Sequence, residues 1–224
     1  MSSTRPSPDR RAFLATLAAA GAVTALRPEI VVAAAHRAPE SLDSQEWDLS
    51  WLDTLTGAHK QVFDMGALGE RTPLRVPRNY LNAAREVLKK EFPEVNTVIG
   101  IASSAFPINV SDAIWAKYQL GEKWNVKDPA TGTWSTRNIY SARPGTPAFS
   151  TSVEGLQARG TIFWQCNNAL GGIAAQFASE TGRPAAEIRT ELIAGFMPGV
   201  KLIPAHTLLI GMVQERGCSY EMIL

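Results

Sequence analysis

Short apolar runs alternate with helix-patterned segments through most of this 224-residue chain, and that alternation limits its fold more than any other feature. Five runs read as strands: Lys60–Ala67, Val95–Ala102, Thr161–Cys166, Val200–Ala205 and Ser219–Leu224. Val95–Ala102 is apolar almost throughout, as a strand covered on both faces should be. Between the strands, the spacing predicts helices over Arg78–Phe92, Asn109–Leu120, Ser152–Arg159, Asn168–Thr181, Pro184–Ala194 and Thr207–Arg216. In the first of these, Leu81, Ala84, Leu88 and Phe92 share one face, and Pro93 ends the run. The expected fold class is therefore α/β: a mainly parallel five-stranded sheet with helices on both faces and right-handed crossovers. In such sheets ligands bind beyond the carboxyl ends of the strands, so that edge sorts the candidate residues.

The N-terminus reads as an export signal. Met1–Arg11 is polar and carries Arg5, Arg10 and Arg11; Ala12–Leu26 is uncharged and apolar; Ala33-Ala34-Ala35 is a small-residue cleavage site. Arg10-Arg11-Ala12-Phe13-Leu14 resembles the twin-arginine motif, a receptor-read address. The apolar run falls short of the roughly 20 residues that a spanning helix needs. The expected organisation is a signal over 1–35, an N-terminal arm over 36–58 with Trp47 and Trp51, and one domain over 59–224. The expected location is periplasmic or secreted. Cleavage after Ala35 leaves 18 basic and 19 acidic residues, a net charge of −1 with no run of like charges. That balance gives no electrostatic support for binding nucleic acid or a polybasic membrane role.

The segment over 123–147 is long and aperiodic, with several Pro and Gly, and reads as a lid or insert. It contains Arg137 and Arg143, whose guanidinium groups suit oxyanions or else stand as solvated loop charges.

Of the two cysteines, Cys166 is the stronger candidate for chemistry. It ends the third strand and immediately precedes a helix opened by Asn167 and Asn168. Free backbone N–H groups and the positive end of the helix dipole there favour thiolate over thiol. Cys218 lies at the opposite, amino edge, so a bridge between the two, which needs Cα atoms within about 7 Å, is not expected. His206 follows the fourth strand on the same edge as Cys166, placed to act as base or ion-pair partner to the thiolate, or to open a helix with no catalytic task. Asp64 and Ser103-Ser104 end the first two strands on that edge; Asp64 either orients a partner or caps a loop. The chain has no G-x-S-x-G elbow, Walker loop or C-x-x-C pair, and no metal-ligand spacing among its three histidines. Neither a cofactor nor a metal is indicated.

Gly160–Leu170, with its Gly-x-x-Phe-x-x-Cys-Asn-Asn-Ala-Leu pattern, resembles the cysteine segment of the DsrE/DsrF-like proteins. Pro198–Ala205, Gln214–Tyr220 and Asp112–Trp115 with Tyr118 resemble that family's fourth strand, closing turn and second helix. The resemblance implies a three-layer α/β sheet, a tendency to homo-oligomers, and a cysteine that carries sulfur as a persulfide; that role would fall on Cys166. Ser103-Ser104 stands where the family often has a histidine. The substrate-binding residues expected on this reading are Asn167, Asn168, Ser104, Arg137 and Arg143, with Cys166 and His206 at the reacting centre. The implied partners are a small sulfur-containing molecule or a relay protein, further copies of the chain, and the twin-arginine translocase during export. Two other functions are compatible with the same residues: a non-catalytic module that binds a small molecule or a protein under the 123–147 segment, and a thiol redox sensor acting through Cys166.

Overall fold

The computed structural model describes residues 47–68 and 73–224; the expected signal with Arg10 and Arg11, and residues 36–46 of the arm, lie outside the described residues. Five strands form one sheet: β1 (His59–Met65), β2 (Val95–Ile101), β3 (Ile162–Cys166), β4 (Lys201–Ile203) and β5 (Ser219–Ile223). Their spatial order is β4-β3-β2-β1-β5, and every neighbouring pair is parallel. The α/β class expected from the alternation is the one observed.

Side chains of a strand point alternately to the two sides, so each strand feeds two cores. Phe63, Met65, Ile99, Ile101 and Phe163 enter the larger one. It is closed by α1 (Arg75–Ala83), α2 (Asp112–Lys117), α3 (Leu120–Lys123), α4 (Val153–Gln157), α5 (Asn167–Thr181) and α6 (Ala185–Ala194). Val62, Val98, Trp164, Cys166 and Ile203 enter the smaller core on the other face. One long helix, α7 (His206–Glu215), covers that side through Leu209 and Val213, with the 3-10 turn Ser50–Thr54 adding Trp51 and Leu52. Fully burying a side chain such as Leu209 or Phe163 contributes about 1.5–3 kcal/mol. Among the described residues this face has the thinner cover, and Cys166, His206 and Asp64 lie on it.

Two helices differ from the expected spans. The first is α-helical only to Ala83; a π-helical turn over Ala84–Leu88 follows, and Lys89 at φ 57° ends it. The wider turn rotates the face, so Leu81 and Ala84 are buried while Leu88 is exposed; Phe92 lies beyond the helix end and is exposed as well. The expected Asn109–Leu120 helix is broken into the 3-10 turn Phe106–Asn109, α2 and α3, with Gln119 in the left-handed region between the last two. That break turns Leu120 into the core.

The 123–147 segment is a clasp fastened to the larger core. Asn138 is buried, and its Nδ2 donates to the carbonyls of Ile108 and Val110 while its Oδ1 accepts from the Tyr140 N–H. Asp112 Oδ1 accepts the N–H of Asn138. Gly121 fits under the segment because it has no side chain: a Cβ there would lie 2.2 Å from the carbonyl oxygen of Ser135. Among the described residues no helix is long and apolar enough to cross a membrane.

Candidate functional site

Cys166 is both the last residue of β3 and the N-cap of α5. Its side chain falls on the thinly covered face, where α7 begins. The backbone N–H of His206, the first residue of α7, donates to Cys166 Sγ at 3.3 Å. The start of α7 thus meets the sulfur, while Cys166 itself stands at the start of α5 without a side-chain cap bond to it. Neither helix carries an acidic residue in its first turn to offset the positive end of its dipole. The residue is 5% exposed. Both cysteines are free thiols, and burial pushes the Cys218 thiol up, with Lys60 opposing.

Beside this sulfur runs a polar chain set by strand register. Met222, Asp64, Gly100, Trp164 and Lys201 lie in one row across β5, β1, β2, β3 and β4. Gly100 leaves a slot in that row. The Trp164 indole leans into it, and the His206 ring lies against its edge and bridges Trp164 and Asp64. Trp164 Nε1–H donates to His206 Nδ1 at 3.1 Å, and His206 Nε2 lies 2.9 Å from Asp64 Oδ1. Tyr220 donates its hydroxyl to Asp64 Oδ2 at 2.8 Å. An indole N–H only donates, so Nδ1 must accept and Nε2 must hold the ring proton, which it gives to Asp64. Both ring nitrogens are spent. The structure gives Cys166 the backbone of His206, and it gives the imidazole to Trp164 and Asp64, so the ring has no free nitrogen with which to act as base for the sulfur.

Asp64 is the orienting partner rather than a loop cap. The hydrogen bond to Asp64, ahead of burial and the carboxylate charge, pushes the Tyr220 phenol above the ordinary tyrosine range. Against this chain lies a cavity of about 400 Å³ lined by Asp64, His206, Thr207, Ile210, Gln214 and Tyr220. Cys166 does not line it, and neither does the 123–147 segment.

The other expected residues scatter. Asn167 is half-buried and accepts through Oδ1 from Arg189 Nη2 on α6. Asn168, Ser103 and Ser104 are exposed at the carboxyl edge. Arg137 is held within its own segment, its Nε 2.8 Å from Asp128 Oδ2, and its hydrogen bonds keep the Asp128 carboxyl below the usual range. Arg143 is exposed on the same segment. Trp164, Tyr220, Gly100 and Arg189 were not legible as site residues. No motif or spacing marks them; only the strand order and the path of α6 bring them in. Among the described residues no group of three or more His, Cys, Asp or Glu side chains is arranged as metal ligands.

The fold and site define an α/β protein with a five-stranded parallel sheet and a strand-end cysteine set where two helices begin. No family model and no curated protein matches the chain. Among solved structures it is similar to a protein of unknown function from Methanobacterium thermoautotrophicum, at 12% identity and a TM-score of 0.38, over 73% of this chain and 98% of that one.

Proposed function

We propose that the protein is an exported sulfur carrier of the DsrE-like kind, with Cys166 as the residue that takes up and passes on a sulfane sulfur. The observation that carries this reading is the α7 N-terminus aimed at Cys166 Sγ through the backbone N–H of His206, with Cys166 itself standing at the start of α5. Helix starts stabilise an adjacent anion by about 0.3–1 kcal/mol each, and by up to about 2 kcal/mol when partly buried. The His206 N–H serves the cysteine sulfur as it attacks and the persulfide that results. With thiosulfate as donor, the Cys166 sulfur attacks the sulfane sulfur, a new S–S bond forms, the donor's S–S bond breaks, and sulfite leaves with the electron pair. The product is a cysteine persulfide anion, and no external oxidant or reductant is consumed. A relay partner thiolate then attacks the outer sulfur and returns Cys166 to its starting state.

On the same reading residues 1–35 serve as the export signal, so the chemistry would take place outside the cytoplasm, and further copies of the chain are its expected companions. Incubating the protein with thiosulfate or polysulfide and weighing it intact tests the proposal. The expected result is a gain of one sulfur on the wild type and none on Cys166→Ser. An unmodified Cys166, under conditions where a small thiol reacts, overturns it.

A further inference from the structure

We infer that the cavity between α7 and the β1–β5 side of the sheet binds a small organic cation bearing N–H groups, an alkylammonium or a guanidinium, with Asp64 as its counter-charge. This does not rest on the sulfur reading, because Cys166 is not part of the cavity wall. At about 400 Å³ the space falls within the roughly 300–1,000 Å³ of small-molecule pockets.

The charge balance selects the ligand. The Asp64 side chain is only 16% exposed, and among the described residues no Lys or Arg lies within ion-pair distance of it. Its two hydrogen-bond donors are the Tyr220 hydroxyl and His206 Nε2. Trp164 keeps the imidazole in its neutral tautomer by occupying Nδ1 with a donor, so neither partner cancels the carboxylate charge. A carboxylate has about four acceptor positions, and two are filled here. The remaining lining residues, Thr207, Ile210 and Gln214, are uncharged. Among the described residues nothing neutralises this mostly buried carboxylate, and a ligand that brings positive charge and N–H donors would satisfy both its charge and its open acceptor positions. Tyr220 adds an aromatic surface of the kind cations favour, and Ile210 adds an apolar wall for a short hydrocarbon body. An anion such as thiosulfate is repelled by the same carboxylate, which separates this cavity from any site for a sulfur donor.

The full chain titrated with n-butylammonium or methylguanidinium chloride, followed by two-dimensional amide NMR at constant ionic strength, tests the assignment. Butanol and butanoate serve as the neutral and anionic controls. The expected result is saturable shifts at Thr207, Ile210, Gln214 and Tyr220 with both cations and none with the controls. Asp64→Asn should weaken cation binding about tenfold or more, equivalent to about 1.4 kcal/mol. Should that variant fail to fold, Ile210→Trp keeps the carboxylate, fills the space and should abolish the shifts. Cys166→Ser should bind the cations as the wild type does, whatever becomes of the sulfur chemistry. No saturable response to either cation, an equal response to butanol, or binding indifferent to Ile210→Trp overturns the inference.

Discussion

Gly100 and His206 meet across the face of the sheet: a Cβ on Gly100 would stand 3.0 Å from Cε1 of His206 and 2.5 Å from Cζ2 of Trp164. The bare position in β2 is what lets an imidazole from the next layer lie between an aspartate and a tryptophan two strands apart. Gly100→Ala forces both rings to move. Overpacking of this kind costs about 1–3 kcal/mol. Urea unfolding should show that loss, and the Trp164 indole N–H resonance should shift as its bond to Nδ1 is strained. An unchanged midpoint together with an unchanged indole resonance would show that the slot has slack.

Asn138 tests whether the 123–147 segment is a clasp or a lid. Its amide satisfies two carbonyls and one N–H that are otherwise closed off from water. Asn138→Ala leaves these groups unpaired, and each buried group left so costs about 1–3 kcal/mol. The variant should be less stable by at least about 2 kcal/mol, and its segment should be cut earlier in limited proteolysis. A lid free to open would show neither effect.

These two cases also mark what the sequence can reveal. Cys166, His206 and Asp64 were placed on one edge because strand–helix alternation sends every strand's carboxyl end the same way. That Asp64 and Trp164 both touch His206 depends on β1, β2 and β3 being neighbours in that order, and no periodicity encodes strand order. The spacing puts Leu88 and Phe92 on the inward face by assuming one turn geometry throughout; the π-helical turn at Ala84–Leu88 changes it for Leu88, and the helix ends at Lys89, before Phe92. The 123–147 segment reads as a lid or insert because it is long and aperiodic; its anchoring is made by single side chains bonding to backbone, which leave no pattern. The two-faced division of the strands, by contrast, follows directly from alternation and could be counted off residue by residue.

Alkaline pH should weaken the fold. The chain has four tyrosines, Tyr80, Tyr118, Tyr140 and Tyr220, and all four phenols titrate above their ordinary value. Burial is the leading cause for Tyr80, Tyr118 and Tyr140, the last pushed up to about 12, while the Asp64 hydrogen bond leads for Tyr220. A raised folded-state value means that the unfolded chain gives up its phenol protons first. The stability from this source is fully present below about pH 10 and is lost as pH rises through the folded-state values. Phenolate absorbance of the native protein should therefore rise later than that of the unfolded chain, and the unfolding midpoint should fall above about pH 10. In Tyr220→Phe one of the four delayed transitions should disappear.

His206 offers a way to separate a side chain from its own backbone. If the imidazole served Cys166 as a base, His206→Asn would slow the reaction of Cys166 with a small alkylating agent by about 100-fold or more. The observed bonding predicts a much smaller change in rate, with a stability loss of about 1–3 kcal/mol as Trp164 and Asp64 lose their partner. His206→Pro removes the N–H as well as the ring. Proline is well tolerated there, since position 206 is the first of α7 and Ala205 before it is extended at φ −147°, ψ 131°. The sulfur then loses the donor it has at 3.3 Å. A hydrogen bond to a charged acceptor is worth about 1.5 kcal/mol or more, so His206→Pro should react about tenfold more slowly than His206→Asn. Rates should be measured with unfolding followed in parallel, because local opening would expose Cys166 and raise both. Equal rates in the two variants, at equal stability, would remove the α7 N–H from the account of this cysteine.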